Sequence, residues 1–285
     1  MFTSTSAVCV TGLIIHDTAT YWSAFGQFVI LLLIQIGGSG VITIAASFCN
    51  DFRSEDFFDA ALYHAGGDFS AKGRRNRSPD WLYRQGDIWV MELLCAAVMA
   101  PVFCRDFGKI GLWMALFHSV SAFCNAGFDL LGVRTPFSSL TSYAANPVIN
   151  FTIMFLIVFG GIGFLTWDDI RTNRLHLRKY RMQSKVILCT TAVLLIAPAM
   201  YFYFFEFDDL TRKERLLSSL FQAVTPRTAG FNTVELTDLS EAGQFITIAL
   251  MLIGGSPGST AGGLKTTTIA VLFTTAISTF RRRAN

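Results

Sequence analysis

Residues 216–265 read LLSSLFQAVTPRTAGFNTVELTDLSEAGQFITIALMLIGGSPGSTAGGLK. The opening apolar run, which ends at Val224, is too short to cross a bilayer as a helix that rises about 1.5 Å per residue. Pro226 removes a backbone N–H and Gly230 can take a positive φ, so the run leads into an extended loop. The apolar segment that follows breaks at residues 254–265 and then resumes. Because a helix broken at membrane depth needs protein or a water-filled cavity to satisfy its backbone, this stretch predicts a pore with a constriction.

The whole chain is more apolar than an ordinary soluble domain. Of its 285 residues, 52% are hydrophobic and 15% are charged, and the mean hydropathy is +0.46. Soluble domains carry about 25% charged residues. The composition therefore predicts an all-α polytopic membrane protein embedded in the lipid bilayer. The net charge of +3 is small and indicates no nucleic-acid partner.

Charge-free and charged stretches alternate along the chain and divide it into successive parts. We expect a first pore loop and spanning helix at residues 1–50, a cytoplasmic loop at 51–87, a second pore unit at 88–167, a basic cytoplasmic connector at 168–185, and a third pore unit with a broken helix at 186–285. Lys and Arg are concentrated in the loop, the connector and the C-terminal arginines, which predicts that these parts lie in the cytoplasm.

Three short glycine loops recur in this pattern: CVTGL at 9–13, CNAGF at 124–128 and RTAGF at 227–231. Each follows a short helical run and precedes an apolar spanning run. The predicted unit is a spanning helix, a re-entrant pore helix, a glycine loop and a second spanning helix. Such units can line one axis, where backbone carbonyls replace the hydration shell of a monovalent cation. The alternative, lipid-facing turns or helix-packing glycines, explains one loop better than three in like positions.

At these residues the chain resembles the Trk/Ktr/HKT potassium-transporter superfamily, and most closely the bacterial Ktr/Trk (KtrB/TrkH-like) membrane subunit. The resemblance rests on TSTS and VTGL near the N-terminus, HSVSAF with NAGFDLLG at 118–132, TAGFNT at 228–233, and GGSPGSTAGGLKT at 254–266. It covers nearly all of the chain except residues 51–87. It implies repeated units around a pseudo-fourfold pore, of which the fourth unit is missing here, so we expect a chain truncated at both ends.

The resemblance also implies roles for individual residues. A potassium selectivity filter would comprise Cys9, Val10, Thr11, Gly12, Cys124, Asn125, Ala126, Gly127, Arg227, Thr228, Ala229 and Gly230. A gate beneath it would comprise Gly254, Gly255, Ser256, Gly258, Ser259, Gly262, Gly263 and Lys265. The transported ion would be K+, with Na+ as a candidate coupled ion, and neither a cofactor nor another metal is expected.

By the same resemblance, the protein would be a multi-pass homodimer of the bacterial inner (plasma) membrane. Its partner would be a cytosolic nucleotide-binding regulatory subunit of the RCK/TrkA/KtrA type.

Two other functions stay open at this point. The first is a non-conducting fragment or assembly subunit, because a fourth unit is absent. The second is an intramembrane enzyme that uses Asp168 or Asp169, which is disfavoured because these acids lie at a basic interface. Two side chains also have alternative interpretations: Lys265 either pairs with an oxygen or snorkels to the interface, and Asp129 either attracts cations or caps the next turn.

Overall fold

The computed structural model of the chain describes residues 1–38, 40, 80–174 and 176–283. Within these ranges the regular elements are helical, apart from one isolated backbone bridge between Ile253 and Leu264. The all-α prediction is confirmed. Of the predicted loop 51–87, residues 51–79 lie outside the described residues, whereas 80–87 form the start of a helix. The helix begins before its apolar part because polar side chains do not interrupt a helix. The backbone hydrogen bonds form within the helix whichever side chains it carries.

The helices of the described residues are, in chain order, α1 (Phe2–Val8), α2 (Thr18–Tyr21), α3 (Ala24–Gly38), α4 (Asp80–Phe107), α5 (Ile110–Phe123), α6 (Pro147–Ile162), α7 (Phe164–Asn173), α8 (Met182–Tyr201), α9 (Arg212–Val224), α10 (Glu241–Leu252) and α11 (Thr266–Arg283). A π turn, Phe202–Glu206, prolongs α8. Short 3₁₀ turns cover Leu131–Val133, Thr141–Tyr143, Leu177–Lys179 and Leu236–Asp238.

Side-chain oxygens cap the N-termini of three of these helices. The Asp17 carboxylate accepts from the backbone of α2, the Asn146 amide oxygen from the backbone of α6, and the Ser240 hydroxyl from the backbone of α10. Such caps satisfy amide groups that have no partner within a helix. Pro147 follows Asn146 at a helix start, where its missing N–H is not needed. These ends are therefore set by local sequence.

Helix length separates candidate spans from shorter elements. Among the described residues, Gly86–Phe107 and Met182–Glu206 are long and apolar enough to cross a membrane. A third span results if α6 is joined to residues Thr166–Asn173 of α7, across a bend of 102°. Helices α1, α5 and α9 have 7, 14 and 13 residues, which is too short for a hydrocarbon core of about 30 Å. These three helices are the ones that precede the glycine loops.

Helix α5 lies at the centre of the core, with α3, α4 and α6 packed around it. Phe117 and Phe123 on α5 are fully or almost fully buried. The His118 ring stacks on Phe103 of α4 at a centroid distance of 5.2 Å and lies 6.4 Å from the Phe231 ring in the third glycine loop. Helix α5 thus contacts elements from both earlier and later parts of the chain.

Apolar side chains cover the outer surface of the molecule. Phe25 on α3, Leu94 on α4, Val193 on α8 and Phe273 on α11 are between 59% and 76% exposed. Exposed apolar surface on this scale is unfavourable in water and favourable against lipid tails. By contrast, the Glu92 carboxylate in the α4 span is buried and accepts two hydrogen bonds, of 3.2 and 3.3 Å, from the Gln35 amide.

We predict that Asn150→Leu destabilises the fold. The buried Asn150 amide donates to the backbone oxygens of Tyr143, Ala144 and Asn146 at 2.8, 3.0 and 2.7 Å, which holds the start of α6 against the preceding turn. Losing these bonds should lower the free energy of unfolding by about 1–3 kcal/mol, measured as a lower thermal midpoint in detergent.

Thr152→Val is the matched control, because the exposed Thr152 hydroxyl bonds only within its own helix. Equal midpoints for the two variants would contradict this account of Asn150.

Candidate functional site

The three glycine loops, which follow α1, α5 and α9, lie side by side. A Cβ atom built at Gly12 would lie 2.6 Å from the carbonyl oxygen of Ala126, in the second loop. A Cβ atom at Gly127 would lie 2.7 Å from the carbonyl oxygen of Ala229, in the third loop. The first loop therefore contacts the second and the second contacts the third, at the level of their glycines. No larger residue fits at Gly12 or Gly127 unless the neighbouring backbone shifts.

The backbone conformation also repeats. In each loop the glycine and the residue two positions before it have positive φ: Val10 and Gly12 (56° and 73°), Asn125 and Gly127 (56° and 70°), Thr228 and Gly230 (69° and 80°). This region costs roughly 1–2 kcal/mol for an ordinary L-residue. Three non-glycine residues held there indicate that the surrounding structure fixes the loop geometry.

Hydrogen bonds explain how the first two loops reach this conformation. The backbone amides of Cys9, Val10 and Thr11 donate to Thr5, Ala7 and Ser6, and those of Cys124, Asn125 and Ala126 donate to Val120, Ala122 and Ser121 in the same pattern. The third loop has a different set of bonds. There Ala229 donates to the carbonyl of Thr225 at 3.1 Å and Thr228 to that of Pro226 at 2.7 Å.

In both the second and the third loop, a side-chain hydroxyl donates a hydrogen bond to a backbone carbonyl just beyond the loop glycine. Ser121 donates to the carbonyl oxygen of Phe128 at 2.7 Å, and Thr225 donates to the equivalent oxygen of Phe231. In both cases the acceptor belongs to the residue after the loop glycine. The hydroxyl therefore fixes the direction in which the chain leaves the loop.

Glycines at the ends of α3 and α6 let these helices approach the residues just before the first and second loops. A Cβ atom at Gly37 would lie 2.1 Å from the carbonyl oxygen of Val8, and one at Gly160 would lie 2.1 Å from that of Phe123. Val8 and Phe123 hold equivalent positions, four residues before their loop glycines. The sequence analysis did not assign these glycines to the site, although a Gly-Gly pair at 37–38, 160–161 and 254–255 was the available signal.

The third glycine pair belongs to a segment, residues 253–265, that interrupts the helix between α10 and α11. Backbone bonds tie the two ends of this segment together: Gly254 donates to Leu264 at 3.0 Å, Gly255 to Gly262 at 3.2 Å and Thr266 to Gly255 at 3.1 Å. The predicted break in the helix is thus present, and its amides are paired within the protein.

The interrupted segment is also bonded to the bend between α6 and α7. Ser256 donates to Gly161 at 3.0 Å, Thr260 to Gly160 at 3.2 Å, and Phe164 to Gly258 at 2.9 Å. The bend occurs at Gly163, whose φ is 93°. Two broken helices therefore satisfy each other's backbone, as non-helical chain at membrane depth requires.

Four side chains of the segment have defined partners. The Ser256 hydroxyl shares a hydrogen bond of 3.1 Å with the Thr266 hydroxyl. The Lys265 ammonium donates to the carbonyl oxygen of Ala261 at 2.9 Å, which is the oxygen pairing that the sequence analysis gave as one alternative. The Ser259 hydroxyl donates to the carbonyl of Ser256 at 2.6 Å. The Thr260 hydroxyl donates to the carbonyl oxygen of Phe123 at 3.0 Å and accepts from the Asn125 amide at 2.9 Å.

A cavity of about 480 Å³ lies between the first loop, the third loop and the interrupted segment. Its lining holds uncharged oxygen groups and no charged side chain among the described residues, with Thr11, Thr225, Thr228, Thr260 and Gln222 as polar contributors. The Gln222 amide oxygen and the Thr228 hydroxyl have no hydrogen-bond partner among the described residues. Such a lining suits a weakly held monovalent cation and lacks the acid and base groups of a hydrolytic site.

Some predicted filter residues turn their side chains away from this cavity. Cys124 is fully buried, with its sulfur 3.9 Å from the Gln35 amide oxygen. The Arg227 side chain is 6% exposed and does not line the cavity. Residues 124–127 of the second loop do not border this cavity either.

The acids at residues 168 and 169 have structural partners. Asp169 is buried, accepts from the Ser184 hydroxyl at 2.5 Å and from the Arg181 amide at 3.1 Å, and pairs with the Arg181 guanidinium. Asp168 also pairs with Arg181, at 3.5 Å. Both carboxylates therefore join α7 to the start of α8. Within the described ranges, no group of three or more His, Cys, Asp or Glu side chains could hold a metal ion.

Asp129, just beyond the second loop, caps the turn that follows. Its carboxylate accepts from the Leu131 amide at 3.1 Å. Burial raises the pKa of the Asp129 carboxyl to about 6, the Leu131 bond opposes this rise, and the nearby Asp17 charge adds to it. The capping alternative is present in the structure, and near neutral pH the carboxylate is still mostly ionised.

Comparison with known proteins identifies the family. A family model described as "TrkH: Cation transport protein" matches residues 83–285. The chain belongs to the TrkH family. The match covers the second and third glycine loops, the interrupted segment and the bend at Gly163.

Individual relatives of the TrkH family agree with this assignment. The chain is 39% identical to the potassium/sodium uptake protein NtpJ of Enterococcus hirae, over 95% of this chain and 60% of the relative. It is 34% identical to the Ktr system potassium uptake protein B of Bacillus subtilis, over 99% of this chain and 63% of the relative. The chain thus spans about three-fifths of the length of these curated relatives.

A solved structure shows the same fold. The potassium transporter TrkH from Vibrio parahaemolyticus matches with a TM-score of 0.67 and 20% identity, over 99% of this chain and 55% of that chain. The chain is accordingly an all-helical membrane protein of a cation-transport family. The relatives named here are, by their names, uptake proteins and a transporter, and not enzymes.

We predict that Gly160→Ala destabilises the TrkH-family fold. The new methyl group would collide with the Phe123 carbonyl, at 2.1 Å, and with the Thr260 hydroxyl, at 2.8 Å. Overpacking of this kind costs about 1–3 kcal/mol, so the thermal midpoint in detergent should fall.

The neighbouring variant Gly161→Ala is the control, because no heavy atom lies within 4 Å of its added Cβ atom. Alanine favours a helix over glycine by up to about 1 kcal/mol, so this variant should be neutral or slightly stabilising. The account is wrong if Gly161→Ala is the more damaging of the two.

Proposed function

We propose that the chain forms a pathway for potassium uptake across the plasma membrane, with backbone carbonyls of the three glycine loops as its selectivity filter. The observation that carries the proposal is that the loops meet edge to edge at Gly12, Gly127 and Gly230 with one repeated backbone conformation. A single conserved geometry in three separate segments is expected if they contribute equivalent ligands to one ion.

The conformation itself supports this role. In an ordinary extended chain, successive carbonyls point to opposite sides. A positive φ at every second residue reverses alternate peptide planes, so that neighbouring carbonyls can face the same side. Rings of carbonyls that face one axis replace the hydration shell of a potassium ion. The filter would comprise the backbone of residues 9–12, 124–127 and 227–230, with glycine allowing the closest approach.

The choice of potassium rests on the relatives. The names of the Enterococcus hirae and Bacillus subtilis proteins assign them potassium uptake, and the former also sodium. Backbone oxygens of an uncharged lining do not by themselves distinguish these two ions. We therefore propose K+ as the transported ion, with Na+ as the candidate coupled ion.

The interrupted segment, residues 253–265, is proposed as the gate. It borders the cavity beneath the loops through residues 260–263, and its ends are tied together across the break in the helix. A compact non-helical segment at this depth can move as one piece while α10 and α11 keep their own hydrogen bonds.

The assembly around this pathway is proposed from the family. We propose a homodimer in the bacterial inner membrane that works with a cytosolic nucleotide-binding regulatory subunit. The rival function is a non-conducting assembly subunit. Transport measurements decide between the two.

The test is potassium uptake by the full gene product that contains this sequence, in cells that lack potassium transport. Gly127→Ser should lower uptake by more than about ten-fold, a change that needs only 1.4 kcal/mol in the barrier, because its side chain collides with the Ala229 carbonyl at 2.7 Å. Gly230→Ser should have a smaller effect, since its Cβ atom lies 3.4 Å from the Gly127 Cα.

Gly108→Ser is the matched control for backbone strain. Gly108 also has a positive φ, of 65°, but no heavy atom lies within 4 Å of its added Cβ atom and it lies outside the loops. Unchanged uptake in the Gly127 and Gly230 variants, when they are present in the membrane in equal amounts, would contradict the proposed filter. No uptake by the unmodified protein would favour the assembly subunit.

The gate has a separate test. Deleting residues 258–262 should increase potassium uptake, because the deleted residues include the part of the segment that borders the cavity. Lower or equal uptake by protein that is folded and present in the membrane would argue against an obstruction.

A further inference from the structure

The interrupted segment is attached to its surroundings in two ways. The first is the set of backbone bonds to the bend between α6 and α7, made by Ser256, Thr260 and Phe164. These bonds use main-chain atoms and do not depend on which side chains are present. They hold the outer edge of the segment against the second unit.

The second attachment uses side chains and leads to the second glycine loop. The Thr260 hydroxyl donates to the carbonyl oxygen of Phe123, the last residue of α5, and accepts from the Asn125 amide in the loop. In the described part of the chain, the Asn125–Thr260 bond joins the segment to the loop, and the Thr260–Phe123 bond joins it to the end of α5. Thr260 and Asn125 are 8% and 1% exposed, so water does not compete for these partners.

The loop conformation alone does not require an amide side chain at Asn125. The equivalent positions in the first and third loops, Val10 and Thr228, have the same positive φ. Val10 has no side-chain donor, and the Thr228 hydroxyl has no partner among the described residues. The conformation is therefore compatible with other side chains, and the amide of Asn125 adds the bond to Thr260.

The contact is also sterically confined. Gly160 lies next to both acceptors, because a Cβ atom there would be 2.1 Å from the Phe123 oxygen and 2.8 Å from the Thr260 hydroxyl. The hydroxyl is thus enclosed by the second loop on one side and by α6 on the other. The segment cannot leave this position while either hydrogen bond is kept.

We propose that Asn125 and Thr260 are positioning residues that form a latch between the filter and the gate. The latch consists of the Asn125 amide, the Thr260 hydroxyl and the Phe123 carbonyl, and it holds the interrupted segment closed beneath the second loop. Opening of the gate requires both hydrogen bonds to break together. This inference rests on the proposed function of residues 253–265 as a gate, and it adds the contact through which the gate and the filter affect each other.

The experiment compares potassium uptake by Thr260→Val and Thr260→Ser in the full protein. Valine keeps the shape of threonine but loses both hydrogen bonds, so the closed state should weaken and the maximal uptake rate should rise by about five-fold, as expected for roughly one net hydrogen bond. The KM for potassium should be unchanged, because the loop ligands stay in place. Serine keeps the hydroxyl and should restore the unmodified rate.

A second variant and a control make the result specific. Asn125→Val, which copies the residue found at Val10, should also raise the maximal rate, and the double variant should add little, since both changes break one connected network. Thr274→Val is the control on α11, where the exposed hydroxyl bonds only to its own helix. It should leave uptake unchanged.

The possible failures are distinguishable. Absence of uptake by the unmodified protein removes both the proposed function and the latch. Transport that is unchanged or slower in Thr260→Val, at equal protein in the membrane, overturns the latch and leaves the filter proposal intact. If Thr260→Val does not reach the membrane, Asn125→Val decides in the same way.

Discussion

Unpaired backbone groups are costly in apolar surroundings, and this constraint governs the irregular parts of the molecule. The three glycine loops and residues 253–265 leave helical geometry in the interior of a lipid-facing protein. The loop amides donate to carbonyls of the chain just before them, and amides of residues 253–265 donate to carbonyls within the segment and in α6. The clearest case is the pair of broken helices, in which Ser256 donates to Gly161 and Phe164 donates to Gly258. Neither break would be stable alone, so the second and third units depend on each other.

Close approach between backbones makes this pairing possible, and glycine provides it. The ends of α3 and α6 contact the carbonyls of Val8 and Phe123 at points where a methyl group would not fit. The same geometry also brings the three loops into contact with one another, beside an uncharged cavity that the first loop, the third loop and the interrupted segment line. Structural stability and the proposed ion pathway therefore depend on the same small residues, and changes at these residues affect both.

Much of the fold follows from local patterns. The short helices before the loops, the break at residues 254–265 and the apolar spans are all recognisable from run length and glycine content. The start of α4 was not, because polar residues 80–87 continue a helix that hydropathy does not reveal. Within the site, the loop residues were predicted, whereas the Asn125 to Thr260 bond was not, since it joins positions 135 residues apart in the chain. The roles of Asp168 and Asp169 were likewise decided by Arg181 and Ser184.

The sequence by itself determined the class of protein, the recurrence of the glycine loops and several places where helices end, because hydropathy, proline and glycine act on the chain locally. The tertiary structure decided which loop contacts which, where Lys265 and Asp129 find their partners, and how the interrupted segment is held. These outcomes depend on distances between units that are far apart in the chain. Hydrogen bonds and steric contacts extend over only a few ångströms, so they are defined once the helices have packed.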